Sequence, residues 1–360
     1  MADFPPKPSQ EELDCYFPRT IEPPPDGEFE LGLVMGGTVS AGAYTAGVLD
    51  FLFLALDSWR GAVAARDPQA PTHKVRLKAV SGTSGGAVCA AIATVAAGLK
   101  FPYGAVKKNP FYQLWVDTLD IEGMLKTFDL VGGKPLASLL NVAPINKGAR
   151  QIILYDPSLN GSAADEAADE TVRVRRREEW AARDWLDPDL TVFLTVTNLR
   201  GTPYSTPYAD GRQYYYDHAD FARFQVKSRE EPLALVRKDS FLFDLRATRE
   251  RDIIAQRRIL ADYAVASGAF PVGFTARDLH RPVEHYNYRV LVTTGRRGQA
   301  KVVWHSPDWQ VMAGAGELPP QWCFPAYDGG VINNQPVAMV HSTLAGQIGS
   351  NERGGRDRVA

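Results

Sequence analysis

Residues 75–98 read VRLKAVSGTSGGAVCAAIATVAAG. The stretch begins as a mostly apolar run with β-branched Val75 and Val80, the pattern of a short buried strand, and ends as an alanine-rich run that reads as a buried helix. Between the two, Gly82-Thr83-Ser84-Gly85-Gly86 fits the G-x-S-x-G pattern of a nucleophile elbow, in which a strand turns into a helix so abruptly that the serine is held at a strained, exposed bend. Glycine is needed at 82 and 86 because a side chain there would clash across the turn. The helix that follows aims its N-terminal N–H groups and the positive end of its dipole at Ser84, where negative charge would be stabilised. Five residues alone describe a glycine-rich strand-to-helix turn equally well. The strand before and the helix after are the context that turns this serine into a candidate nucleophile.

Around this stretch the chain is ordinary globular material. Its 360 residues are 45% hydrophobic and 23% charged, enough apolar content for a large core. With 40 basic against 42 acidic residues the formal net charge is −2, so charge gives no argument for nucleic acid or for strong attraction to anionic lipid. Cys15, Cys89 and Cys323 are widely spaced and lack a C-x-x-C pair, which suggests neither a disulfide framework nor a metal site and fits a reducing, cytoplasmic setting. The start of the chain has no basic n-region or apolar h-region, and no run approaches ~18 consecutive apolar residues. The expectation is a soluble protein, or one peripheral at a membrane.

Read in order, residues 1–27 carry so many prolines that they are expected to form an extended arm, with a single α/β domain over 28–360. EFELGLVM at 28–35 predicts a first strand, followed by Gly36-Gly37-Thr38-Val39-Ser40-Ala41-Gly42 and an apolar helix. A phosphate-binding P-loop, and with it a nucleotide-binding module, is the weakest reading of this loop, because Ala43 and Tyr44 stand where Lys and Ser/Thr are required and its glycines do not match a dinucleotide fingerprint. The remaining reading is a set of backbone N–H groups forming an oxyanion hole for Ser84. Strand, helix, strand, helix then implies a largely parallel sheet covered by helices. Residues 99–140 read as apolar core, with a substrate route as the alternative, and the mixed charges of 170–185 as a solvated face. DPDLTVFLTVTNLR at 187–200 predicts a core strand whose polar end approaches the site. The tyrosine-rich residues 201–243 read as loops and a hairpin outside the sheet, 246–266 as a helix, and 275–323 as an insertion containing a β-hairpin. An acidic residue, Asp328, then sits at a glycine turn, and GSNERGGRDRVA at 349–360 leads into what looks like another strand, as if the native chain continued beyond Ala360.

Four pieces agree with one family. The glycine loop with GAYTAGVL behind it, the GTSGG elbow, ASGAFPVGF at 266–274 and Asp328-Gly329-Gly330 followed by NNQP occur in the order found in patatin-like phospholipases, which the chain resembles over about residues 29–340. The resemblance implies an α/β sandwich with a largely parallel sheet and hydrolysis of acyl esters in lipids by a serine–aspartate dyad. By the same resemblance Ser84 is the nucleophile, Asp328 the base, and Gly36, Gly37 and Thr38 the oxyanion loop, with Gly82, Gly86, Gly329 and Gly330 supporting the two turns. The implied partner is a lipid or acyl ester, with peripheral membrane contact, no nucleic acid, and no metal or organic cofactor. The loop departs from the family by having Thr38 in place of a third glycine and no Arg or Lys close behind. Thr lacks glycine's freedom at positive φ, so a weakly active or non-catalytic lipid-binding homologue is one alternative. Others are an esterase or thioesterase on soluble acyl groups and a triad that recruits His341.

Overall fold

The computed structural model describes residues 4–38, 41–101, 103, 109–119, 121–125, 138–149, 153, 183–208, 211–294, 300–349 and 358–359. Most of the mixed-charge run at 170–185, much of 99–140 and the tip of the hairpin at 295–299 lie outside them. After a short helix α1 (Gln10–Tyr16), strand β1 (Glu28–Met35) leads through the glycine loop into α2 (Gly42–Ala64). Strand β2 (Lys74–Gly82) then turns directly into α3 (Gly85–Ala96). A long strand β3 (Leu186–Tyr208) is followed by β4 (Gly211–Lys227), β5 (Phe241–Asp244) and helix α4 (Glu250–Ser267). The chain closes with β6 (Arg277–Pro282), β7 (Val290–Thr294), β8 (Ala300–Trp304), β9 (Gln321–Asp328), helix α5 (Val337–Ala345) and β10 (Arg358–Val359).

The main sheet has the order β10-β1-β2-β3-β4-β5, and β9 pairs with both β3 and β6. Its centre is parallel: β10, β1, β2 and β3 all run the same way. Helices flank it on both faces, which makes this an α/β fold with a largely parallel central sheet. On one face the apolar stripe Ala46, Leu49, Phe53 and Leu56 of α2, at helical spacing, packs with α3, buried at every residue but Val88, and with Leu260 and Ala264 of α4. On the other face Val340 and Leu344 of α5 cover Ala79, with Val34 beside them. The two cores lie on opposite faces of the sheet, and β2, which serves both, carries a bulge. Leu31 pairs with Leu77 but Gly32 with Ala79, so Lys78 is the extra residue, and its ammonium reaches Glu30 at 2.6 Å. Downstream of the bulge Val80 faces α3 and Ala79 faces α5.

Three expectations are corrected. The proline-rich start is not simply an extended arm: prolines flank residues 10–16 without interrupting them, Ser9 caps the helix, and Leu13, Tyr16 and Phe17 bury against Tyr288. Arg237 fixes this end of the chain by donating to the Tyr16 carbonyl at 2.7 Å. Residues 201–227 are not outside the sheet. β3 runs on to residue 208 and pairs antiparallel with β4, crossing an irregularity between Thr197 and Thr202 where Gly201 takes φ +73°. The tyrosines at 214–216 misled because residues 211–216 of β4 are exposed in succession, with no buried alternation to mark a strand, although their partners Pro203 and Tyr204 are buried. Finally, the segment 275–323 does contain the antiparallel β7–β8 hairpin, but its β6 joins the main sheet through β9. Among the described residues no helix is long and apolar enough to cross a membrane.

Candidate active site

One strand measures out the site. β2 arrives parallel to β3 and ends where Gly82 pairs with Leu194; β9 arrives antiparallel on the same edge and ends where Asp328 pairs with Val196. Two residues after Gly82 the chain reaches Ser84, and the register therefore brings the end of β2 and the end of β9 together. Ser84 Oγ donates to Asp328 Oδ2 at 2.7 Å.

Ser84 has φ 55° and ψ −127°, a backbone conformation L-residues rarely adopt, as an elbow requires. Gly82 and Gly86 serve by closeness. A Cβ on Gly82 would lie 2.7 Å from the Ala87 Cα, and one on Gly86 would strike the Gly36 carbonyl at 2.6 Å. Below the serine, the buried Thr83 hydroxyl lies 2.7 Å from the Thr195 hydroxyl and donates to the Asn333 carbonyl at 3.0 Å. These bonds tie the elbow to β3 and to the segment after the Asp328 turn.

Asp328 is 7% exposed. Burial pushes its carboxyl above the ordinary aspartate value, while the hydrogen bonds from Ser84 and from the Gly330 N–H, at 2.7 Å, work the other way. Its own main chain is held twice: Thr197 Oγ1 donates to its carbonyl at 2.8 Å, and its N–H donates to the Ala269 carbonyl at 3.1 Å. Gly329 needs to be glycine because a Cβ would enter the backbone of Thr195, at 2.6 Å from its carbonyl carbon. Such a pair can pass a proton from hydroxyl to carboxylate, the first requirement of nucleophilic catalysis.

The glycine loop passes beside Ser84, with a Cβ on Gly37 placed 3.4 Å from the Ser84 Cβ. Gly36, Gly37 and Thr38 all have negative φ, so threonine at 38 costs no left-handed strain. The Gly37 N–H donates to the Asn334 carbonyl at 3.2 Å. Thr38 packs against Gly85, where a Cβ would lie 2.6 Å from its hydroxyl oxygen.

Residues 33–341 match the model of the patatin-like phospholipases, a span that begins in β1 and ends in α5 and so contains the loop, the elbow and the Asp328 turn. The chain belongs to the patatin-like phospholipase family. The family's description is that of phospholipases, enzymes that cleave ester bonds of lipids. The chain is also 31% identical over 348 residues to an uncharacterised protein, y4iI, of Sinorhizobium fredii (strain NBRC 101917 / NGR234). The match covers 88% of this chain but 46% of that protein, so the chain spans about half the length of the curated relative it matches.

Within the patatin-like site the Asp328 carboxylate is held by Ser84 and Gly330, whereas His341 sits on α5, whose buried side faces Val34 and Ala79. The other histidines are also engaged elsewhere. His218 bonds the Asn198 carbonyl, His280 the Cys323 thiol and His305 the Tyr215 hydroxyl. His285 is buried, and burial pushes its imidazole down to about 3. Among the described residues no group of three His, Cys, Asp or Glu side chains could hold a metal ion. Sequence reasoning missed Thr83, Thr195, Thr197 and Asn334. The alternation of Thr195 and Thr197 in an otherwise apolar strand is the one local signal that could have pointed to them.

Proposed function

We propose that this protein hydrolyses acyl ester bonds of lipids through an acyl-enzyme on Ser84, with Asp328 as the general base. The 2.7 Å hydrogen bond from Ser84 Oγ to Asp328 Oδ2 carries this reading. Asp328 takes the hydroxyl proton as Oγ attacks the ester carbonyl, then returns it to the departing alcohol. Water activated by the same carboxylate then attacks the acyl-serine, and its proton goes back to Oγ when the acid leaves. The oxyanion is assigned to main-chain N–H groups of Gly36, Gly37 and Thr38, with the N-terminal amides of α3 behind the serine. One such donor is worth about 3–4 kcal/mol in serine hydrolases. The Gly37 amide must exchange the Asn334 carbonyl for the substrate oxygen, and that bond favours a second reading, a lipid-binding homologue of slow turnover.

Exposed apolar side chains follow each arm of the pair in sequence: Phe270 and Val272 just past Ala269, and Val331 and Ile332 just past the Asp328 turn. They support an acyl chain, and contact with a lipid surface, as what the site meets. The test is hydrolysis of p-nitrophenyl acyl esters and of phosphatidylcholine vesicles by wild type and Ser84→Ala, with fluorophosphonate labelling of both. Loss of hydrolysis and labelling in Ser84→Ala is expected; equal rates in the two proteins overturn the catalytic reading. Labelling without measurable hydrolysis selects the slow-turnover homologue.

A further inference from the structure

The dyad is gripped from a third element, the ASGAFPVGF segment at 266–274, to which the family pattern assigns no role in the pair. Helix α4 ends at Ser267, which is fully buried, and Pro271 prevents the helix from resuming. Three other helical serine and threonine hydroxyls spend themselves locally. Thr94, Ser342 and Thr343 each donate to the carbonyl four residues earlier, at 2.8, 2.7 and 2.9 Å. Ser267 Oγ instead accepts a hydrogen bond from the Ser84 N–H at 2.8 Å, across 183 residues of sequence. Two residues further on, the Ala269 carbonyl accepts the N–H of Asp328 at 3.1 Å. The three residues 267–269 therefore hold the main chain of both members of the pair.

We infer that Ser267 is a positioning residue for the nucleophile. This rests on the serine–aspartate reading above. A backbone such as that of Ser84, with φ 55°, costs about 1–3 kcal/mol and persists only where its surroundings over-determine it. Ser84 immediately precedes α3, so its N–H has no partner within that helix, and Ser267 Oγ supplies one. With the amide pinned, the direction of the Cα–Cβ bond is fixed and Oγ is presented to Asp328 Oδ2. The same bond removes the Ser84 N–H from the set of oxyanion donors, leaving that task to the loop amides. Ser267 does not touch the reacting atoms; it acts through Ser84.

Ser267→Ala, Ser267→Thr and, as a control for losing a helical hydroxyl, Ser342→Ala test this. The readouts are kcat, KM, the rate of fluorophosphonate labelling at Ser84, and amide hydrogen exchange at Ser84 and Asp328. Misplacing a reacting group by an ångström costs about 100-fold. Ser267→Ala is expected to lower kcat and labelling roughly 10- to 100-fold with KM within about twofold, and to speed exchange at Ser84 while Asp328 stays protected. Ser267→Thr, which keeps the acceptor oxygen, recovers most of the rate, and Ser342→Ala changes nothing. Ser267→Ala with kcat and labelling within twofold of wild type overturns the inference. So does an unprotected Ser84 amide in the wild-type protein, a measurement that stands whether or not the variants fold. If wild type neither labels nor hydrolyses, the serine–aspartate reading fails separately, while exchange at Ser84 still reports on the Ser267 bond.

Discussion

Replacing Asp328 by asparagine separates what the carboxylate does for chemistry from what it costs the fold. In Asp328→Asn the oxygen that accepts from the Gly330 N–H is retained, and the amide nitrogen takes the place of Oδ2. That nitrogen carries hydrogens, so Ser84 Oγ, which now donates at 2.7 Å, would face a donor and lose the group that removes its proton. General-base catalysis is worth about 10²–10⁴-fold, or roughly 2.7–5.4 kcal/mol at 1.36 kcal/mol per tenfold. The expected result is a fall in kcat of that size with little change in KM. Stability moves the other way. Burial raises the carboxyl above its unfolded value, so the folded state holds the proton more tightly. Stability therefore declines as pH rises from the unfolded value through the folded one, and the cost is complete above the folded value. Asparagine carries no such charge. Thermal unfolding at neutral pH should give Asp328→Asn a melting temperature equal to or above wild type, and the difference should close in acid. The same raised value sets the acid limb of kcat/KM for wild type, where activity falls as the carboxylate takes up its proton. A variant with kcat within threefold of wild type, or one less stable by several degrees at neutral pH, would refute the reasoning.

Three further outcomes follow from the same geometry. Gly86→Ala drives a methyl against the Gly36 carbonyl, which should destabilise by about 1–3 kcal/mol in thermal unfolding and depress fluorophosphonate labelling at least tenfold by displacing the glycine loop. His341→Ala should leave kcat within about twofold, because a triad is the reading that needs the imidazole, and general acid–base work by it would be worth about 10²-fold or more. Asp220→Asn removes the carboxylate from a cluster in which its 1%-exposed side chain meets the 2%-exposed side chain of Arg281 and Arg289 at 2.6 Å. Leaving guanidinium charge uncompensated there should cost about 3–5 kcal/mol by denaturant unfolding, with the Ser84–Asp328 pair untouched in any protein that remains folded.

The elbow was legible because everything it needs is local: an apolar strand, glycine on either side of a serine and an alanine-rich helix lie within residues 75–98. Asp328 was legible only through a family pattern, since no local rule connects it to a serine 244 residues away. The threonine at 38 illustrates a different failure. Its departure from glycine looked conformational, but the loop uses negative φ, and closeness is what matters, at Gly37 beside Ser84 and at Gly86 beneath the loop. The N-terminal helix was hidden by counting prolines without noting that Pro5, Pro6 and Pro8 precede Ser9, the cap, and so leave the helix interior free. The role of Ser267 was hidden for a deeper reason, although its segment stood in the family pattern. A serine at a helix end ordinarily bonds its own backbone, and only the packing of α4 against α3 turns it toward Ser84.

The partition between legible and illegible follows from how the pair is assembled. Its separation is set by hydrogen-bond register on β3, where Leu194 receives Gly82 and Val196 receives Asp328. Each residue along a strand advances about 3.3 Å, so these two anchor points lie about 6.6 Å apart, a gap that the elbow and the two side chains close to 2.7 Å. A slip of one residue in either pairing would turn the side chain to the opposite face and abolish the contact rather than lengthen it. The hydroxyls of Thr195 and Thr197 act against such a slip, one bonding Thr83 of the elbow and the other the Asp328 carbonyl. Position is thus encoded in the strand that carries neither reacting group, while the segments that carry them supply strain at Ser84 and burial at Asp328. The side chains of Phe270, Val272, Val331 and Ile332 are exposed just past these fixed points, and on the proposed acyl-hydrolase reading it is there that substrate choice has room to change.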